Sequence, residues 1–174
     1  FVSNLLASLC ITILPALVLA RTGNNSTALG IVQSASAIGG LVGGAALAAW
    51  GGPKRKVNGV LLGMICSSLF GTVVIGLGRS LPVWAVGGFM TMAVIPVLNG
   101  SNQAIWQSKV PPALQGRVFS ARLMIAQITA PIAMLASGPL ADRIFEPAMM
   151  PSGSLAPTCS WLTGTGQGAG ISLM

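Results

Sequence analysis

Residues 28–50 read ALGIVQSASAIGGLVGGAALAAW and lie inside an uncharged stretch that runs from Thr22 to Pro53. A helix rises about 1.5 Å per residue, so roughly 20 apolar residues cross a hydrocarbon core of about 30 Å. The stretch meets that length. So do Phe1 to Ala20, Val57 to Gly78, Ser80 to Ser108 and Leu123 to Ala141, each without a charge. The fold expected is an all-α polytopic bundle of transmembrane helices.

Composition agrees. Charged residues make up 6% of the chain and apolar ones 53%, with a mean hydropathy of +0.81. A soluble domain carries about 25% charged residues, so a soluble reading leaves too greasy a surface. A membrane barrel would need short alternating segments rather than continuous apolar runs. The net charge of +7 does not indicate a nucleic-acid partner, because the nine basic residues are scattered and only Lys54-Arg55-Lys56 form a cluster. A topology signal accounts for them better.

The chemistry available is narrow. With no His and two acidic residues, neither a metal centre, a cofactor site nor a Ser-His-Asp arrangement is expected. No catalytic residue is assigned, and the chain is not expected to be an enzyme. Asp142 and Glu146 flank Arg143 and read as a solvated helix end. Cys10 and Cys66 fall in mid-span as small hydrophobes, and Cys159 has no obvious mate. The Gly-rich run 164–170 lacks the strand and Lys of a phosphate loop and reads as helix packing.

The spans are placed at about 2–20, 28–50, 57–78, 83–102 and 120–141, with a sixth opening at 161 and truncated at 174. Residues 103–119 are expected to form an interfacial cytoplasmic loop, and 142–160 an extracytoplasmic one. Pro15, Pro96 and Pro131 are soft points within spans. Trp50, Trp84, Trp106 and Trp161 all fall at span ends, the headgroup level that indole prefers. Phe1 opens without an initiator Met or signal-peptide pattern, and Met174 falls inside a new apolar run; the expectation is a fragment.

Alternate loops share a side. Lys54, Arg55, Lys56, Lys109, Arg117 and Arg122 fall on one, against Arg21, Arg79 and Arg143 on the other, which places the Lys54 and Lys109 loops in the cytoplasm. Within the second span, the interleaved pairs Gly39/Gly43 and Gly40/Gly44 are candidate packing positions. Bare backbone lets a neighbouring helix approach closely, and glycine as mere filler is the competing reading. Asn4, Gln33, Asn99, Asn102, Gln103 and Gln127 are polar residues in apolar spans, so each must face the bundle or a wet cavity. Each serves either an interhelical hydrogen bond, worth about 0.6 kcal/mol on average, or a substrate contact.

The segment NGSNQAIWQSKVPPALQGRVFSARLMIAQITAPIAMLASGPLADRIFEP, residues 99–147, resembles the region around the tenth and eleventh helices of the major facilitator superfamily. It is most similar to the drug- and macrolide-efflux branch, which includes siderophore exporters. The residues that carry the likeness are Gln103 to Gln107, Val110-Pro111-Pro112, Gln115-Gly116-Arg117-Val118-Phe119 and Gly138 to Arg143. Trp50 to Lys56 is similar to the connection between the eighth and ninth helices. The basic loop departs from the family in having no acidic residue. Gly138 to Arg143 matches the opening of the family's cytoplasmic loop motif, but span counting puts it outside.

The resemblance implies the C-terminal six-helix half of a twelve-helix transporter, lacking an N-terminal half of the same polypeptide. It implies that the first, second, fourth and fifth spans line a cavity, which selects Gln33, Asn99 and Gln127 as substrate contacts. The expected role for Lys54, Arg55, Lys56, Lys109 and Arg117 is gating at the cytoplasmic face. The function expected is export of a small amphipathic or hydrophobic compound by alternating access, with proton coupling as one option for the driving force. Membrane lipid is the other partner, and a bacterial plasma membrane the location. The rival readings are an integral membrane enzyme of lipid metabolism and a non-transporting membrane scaffold.

Overall fold

From Val2 to Met149 the helices follow one another through connections of only a few residues. The computed structural model describes residues 2–78, 80–150 and 169–173, and among them there is no strand. The helices are α1 (Val2–Arg21), α2 (Ser26–Trp50), α3 (Lys56–Cys66), a π-helical segment Ser67–Val73 continuing into α4 (Val74–Leu77), α5 (Leu81–Lys109) and α6 (Pro112–Gln127). They are followed by α7 (Thr129–Leu140), a second π-helical segment Ala141–Phe145, α8 (Glu146–Met149) and α9 (Ala169–Leu173). Among the described residues, five helical stretches are long and apolar enough to cross a membrane: Asn4–Arg21, Ser26–Trp50, Lys56–Leu77, Leu81–Lys109 and Pro112–Met149. The chain is therefore described as a multi-pass membrane protein.

Local chemistry sets the helix ends. The Thr22 hydroxyl donates to the Val18 carbonyl at 2.7 Å and closes α1. The Asn25 side chain then accepts the Ala28 N–H at 3.1 Å, capping the start of α2. After Trp50 the backbone turns left-handed at both Gly51 (φ 75°) and Gly52 (φ 80°), a pair of conformations that side chains oppose. Pro53 follows, and α3 begins at Lys56.

The segment expected as an interfacial loop, 103–119, is largely helical instead. α5 continues to Lys109, Val110-Pro111 form the only interruption, and α6 starts at Pro112. Polar composition marked where the chain leaves hydrocarbon, not where its helix stops. The stop comes from the two prolines, which disfavour helix at the residue before them and supply no N–H. Likewise residues 142–149 of the expected 142–160 loop are helical, and 151–160 lie outside the described residues. Of the sixth span only Ala169–Leu173 is described, as helix.

The chain divides into two compact units, Phe1–Leu29 with Ser120–Met174, and Gly30–Phe119. In the second, α5 is the central element. Gly39 and Gly43 of α2 approach it so closely that an added Cβ would overlap the backbones of Phe89 and Ala93, and Gly88 lies against Ser36. Residue numbers rise together, so α2 and α5 run parallel. On another face, Gly59 meets Ser101, Gly63 faces Leu98, whose side chain lies 3.1 Å from the Cβ position of Gly63, and Gly71 meets Thr91. Numbers here run oppositely, so α3 is antiparallel to α5. Gly40 and Gly44, by contrast, meet nothing within 4 Å. The two interleaved pairs therefore differ: one touches α5 and the other does not.

The π-helical segments follow from this packing. Gly59, Gly63, Ser67 and Gly71 recur every four residues. In an α-helix a four-residue step overshoots one turn by about 40°, so the stripe would rotate off its seam. A π-helix, with roughly 4.4 residues per turn, undershoots by a similar angle and brings Gly71 back to Thr91. The first unit repeats the device. Thr129, Ala133, Ser137, Ala141 and Met149 are all buried at multiples of four, and the second π-helical segment begins at Ala141. α7 packs there against α1, whose Leu17 and Val18 are buried.

Candidate functional site

The polar residues of the first unit converge where the fifth span breaks. α6 ends at Gln127, Ile128 is a turn residue, and α7 starts at Thr129. Pro131 is the cause: it has no N–H to give the Gln127 carbonyl four residues back, and its ring crowds that carbonyl. The neighbouring Ala126 carbonyl accepts the Thr129 hydroxyl at 2.6 Å and the Asn4 amide of α1 at 3.3 Å. Thr129 is 1% exposed. Beside this pinned carbonyl, the Gln127 side chain stands open. A primary amide and a carbonyl without its helical donor, midway along an apolar span, form a polar patch that hydrocarbon does not satisfy.

Gln33 and Asn99 both belong to the second unit, and both are exposed. They are not brought together. Gly39 meets Phe89 and Ser36 meets Gly88, which sets Gln33 level with about residues 83–85 of α5. Asn99 is about four helical turns further along, roughly 22 Å at the α-helical rise. A compact ligand at one of them does not reach the other within this unit.

The basic residues gather at one end of the second unit. Gly59 faces Ser101, and the Leu47 side chain comes within 3.0 Å of the Cβ position of Gly100. Trp50, Lys56, Trp106 and Lys109 therefore fall within roughly two turns of one another along the bundle axis. Lys54, Arg55, Lys109 and Arg117 are exposed, and the Lys56 ammonium donates to the Gly51 carbonyl at 3.4 Å. Trp50 is 66% exposed and Trp106 38%. Trp84, also at a span end, behaves differently. It is 1% exposed and its Nε1–H donates to the Gly78 carbonyl at 3.1 Å. Its indole caps the end of α4 rather than meeting headgroups. Trp161 lies outside the described residues.

Two further features hold this end in shape. Ser101 is 2% exposed, and its hydroxyl has no hydrogen-bond partner among the described residues. A helical Ser ordinarily bonds the carbonyl one turn back; here the hydroxyl lies at the contact with Gly59, beside the Pro53 ring. The Gln115 amide donates to the carbonyls of Gln107 (3.3 Å) and Val110 (3.0 Å), tying the start of α6 to the end of α5. Gln115→Leu is expected to weaken this corner by about 1–2 kcal/mol, since two last-turn carbonyls lose a donor. Trypsin cleavage after Lys109 or Arg117 in reconstituted protein should speed up accordingly, and an unchanged rate would show that the prolines alone hold the corner.

Sequence reasoning singled out Gln127 but not its supports. Thr129 and the Ala126 carbonyl emerge only with the tertiary structure, although a Thr two residues before an intramembrane Pro is a legible cue. Asn4 was recognised as a polar residue in a span; its partner was not. Among the described residues no group of three or more Cys, His, Asp or Glu side chains could hold a metal ion. Protein-family models, curated proteins and solved structures were all compared with the chain, and none matches it.

Proposed function

We propose that this chain is part of a secondary transporter of the major facilitator type, the C-terminal half of a twelve-helix exporter, and not an enzyme. The observation that carries the reading is the break at Gln127. Transport helices interrupted near mid-membrane expose backbone carbonyls and polar side chains to a substrate while neighbouring helices satisfy the rest. Pro131, Gln127 and the pinned Ala126 carbonyl have that arrangement. The parallel course of α2 and α5, with α3 antiparallel to both, supports alternating passes across a bilayer. Amides without a fixed charge suit a small amphipathic or apolar compound. The bacterial plasma membrane, with Lys54 and Lys109 in the cytoplasm, follows from the charge asymmetry of the loops.

The test is substrate-dependent efflux from intact cells that carry the full-length protein. Gln127→Leu at unchanged expression is expected to lower efflux about tenfold, the effect of one lost hydrogen bond to a desolvated ligand. Gln33→Leu acts through the other unit and is expected to lower it less. Unchanged efflux in both variants would remove these residues from the site. Absence of efflux for any amphipathic compound in the unaltered protein would favour a scaffold.

A further inference from the structure

We infer that the basic end of the second unit is a docking rim for anionic phospholipid headgroups. Lys54, Arg55, Lys56, Lys109 and Arg117 stand at this end, and the unit, residues 30–119, contains no Asp or Glu. No carboxylate of the unit can neutralise them. The partner must therefore bring its own negative charge.

Depth selects which anion. Trp50 and Trp106 are exposed within about two turns of Lys56 and Lys109 along the bundle axis, and exposed indoles beside cations mark the headgroup layer. Below them the helices are apolar and open: Leu41, Val42, Leu61 and Leu62 are 75%, 49%, 54% and 60% exposed. A diacyl lipid matches both halves of this surface, its phosphate at the cations and its chains along the leucines. A soluble anion matches only the first. The Gly51-Gly52-Pro53 turn, the Pro53 contact with Gly59 and the Gln115 bonds hold the loop and the α5–α6 corner in place. The rim is preformed. It holds whether or not the chain transports anything, because it requires only that the helices lie in a bilayer.

The whole chain reconstituted in mixed bilayers gives the test, with spin-labelled phosphatidylglycerol and phosphatidylcholine as probes. The expected result is a relative association about threefold or more in favour of phosphatidylglycerol, shrinking as salt rises from about 0.1 to 1 M. Replacing all five cations with Gln should bring the ratio to about one. The sets Lys54/Arg55/Lys56→Gln and Lys109/Arg117→Gln should each lower it in part, which keeps the test sound should the fivefold variant misfold. Arg79→Gln, in the connection between α4 and α5, should leave it unchanged. No preference in the parent protein, or one that survives neutralisation, would overturn the proposal. So would displacement of the lipid by millimolar inorganic phosphate or by an oligoglutamate, which would assign the rim to a soluble anion or an acidic polypeptide.

Discussion

Gly43→Val should dismantle the α2–α5 contact, whereas Gly44→Val, one residue on, should leave the protein near its original stability. A Cβ at Gly43 overlaps the backbone of Ala93, and one at Gly44 meets nothing within 4 Å. The overlap is with main chain, so no rotamer change relieves it; the helices must separate. Inside lipid the two helices have no hydrophobic drive toward each other. Their association rests on close van der Waals contact, which falls steeply with distance. Overpacking a tight interface costs about 1–3 kcal/mol, and here Gly39, one turn earlier on the same seam, would lose its contact with Phe89 as well. The check is the SDS fraction at which the purified protein loses its folded signal in mixed micelles. Equal shifts for both variants would mean that the seam does not hold the unit together.

Trp84→Ala is expected to destabilise the second unit by about 3 kcal/mol or more. Removal of a fully buried indole leaves a large void. It also removes the indole N–H that the Gly78 carbonyl accepts at the end of α4. Trp84→Phe keeps most of the packing and loses only the hydrogen bond, so its loss should be about 1 kcal/mol. Helical circular dichroism across an SDS titration separates the two, and avoids a fluorescence signal that the substitution itself alters. Trp50→Ala, at an exposed indole, should change stability little. An Ala variant at position 84 as stable as its parent would show that the hairpin between α4 and α5 closes without the indole.

How far the sequence could be read depended on which force set each feature. The solvent sets the length and apolar character of a span, and every residue in the span reports on it. Uncharged stretches such as Thr22 to Pro53 therefore announced their helices directly. Loop ends were harder. Residues 103–109 are polar yet helical, because a helix leaving hydrocarbon has no reason to stop until proline removes its donors. The candidate site was legible as one amide in an apolar span, Gln127, and a proline four residues on. Its partners were not, since Asn4 is separated from Ala126 by 122 positions along the chain.

By itself the sequence determined a succession of long apolar helices suited to a lipid environment, with cations crowded on one set of connections and no histidine. Hydropathy and charge act on each residue separately, so they can be summed along a string. Tertiary structure alone decided which glycine of an adjacent pair touches a neighbour, that Trp84 is a buried cap while Trp50 and Trp106 stand open, and that two stripes of small residues are carried on π-helical turns. Those outcomes depend on which helix lies opposite and at what rotation. A displacement of about 100° between consecutive residues turns contact into empty space.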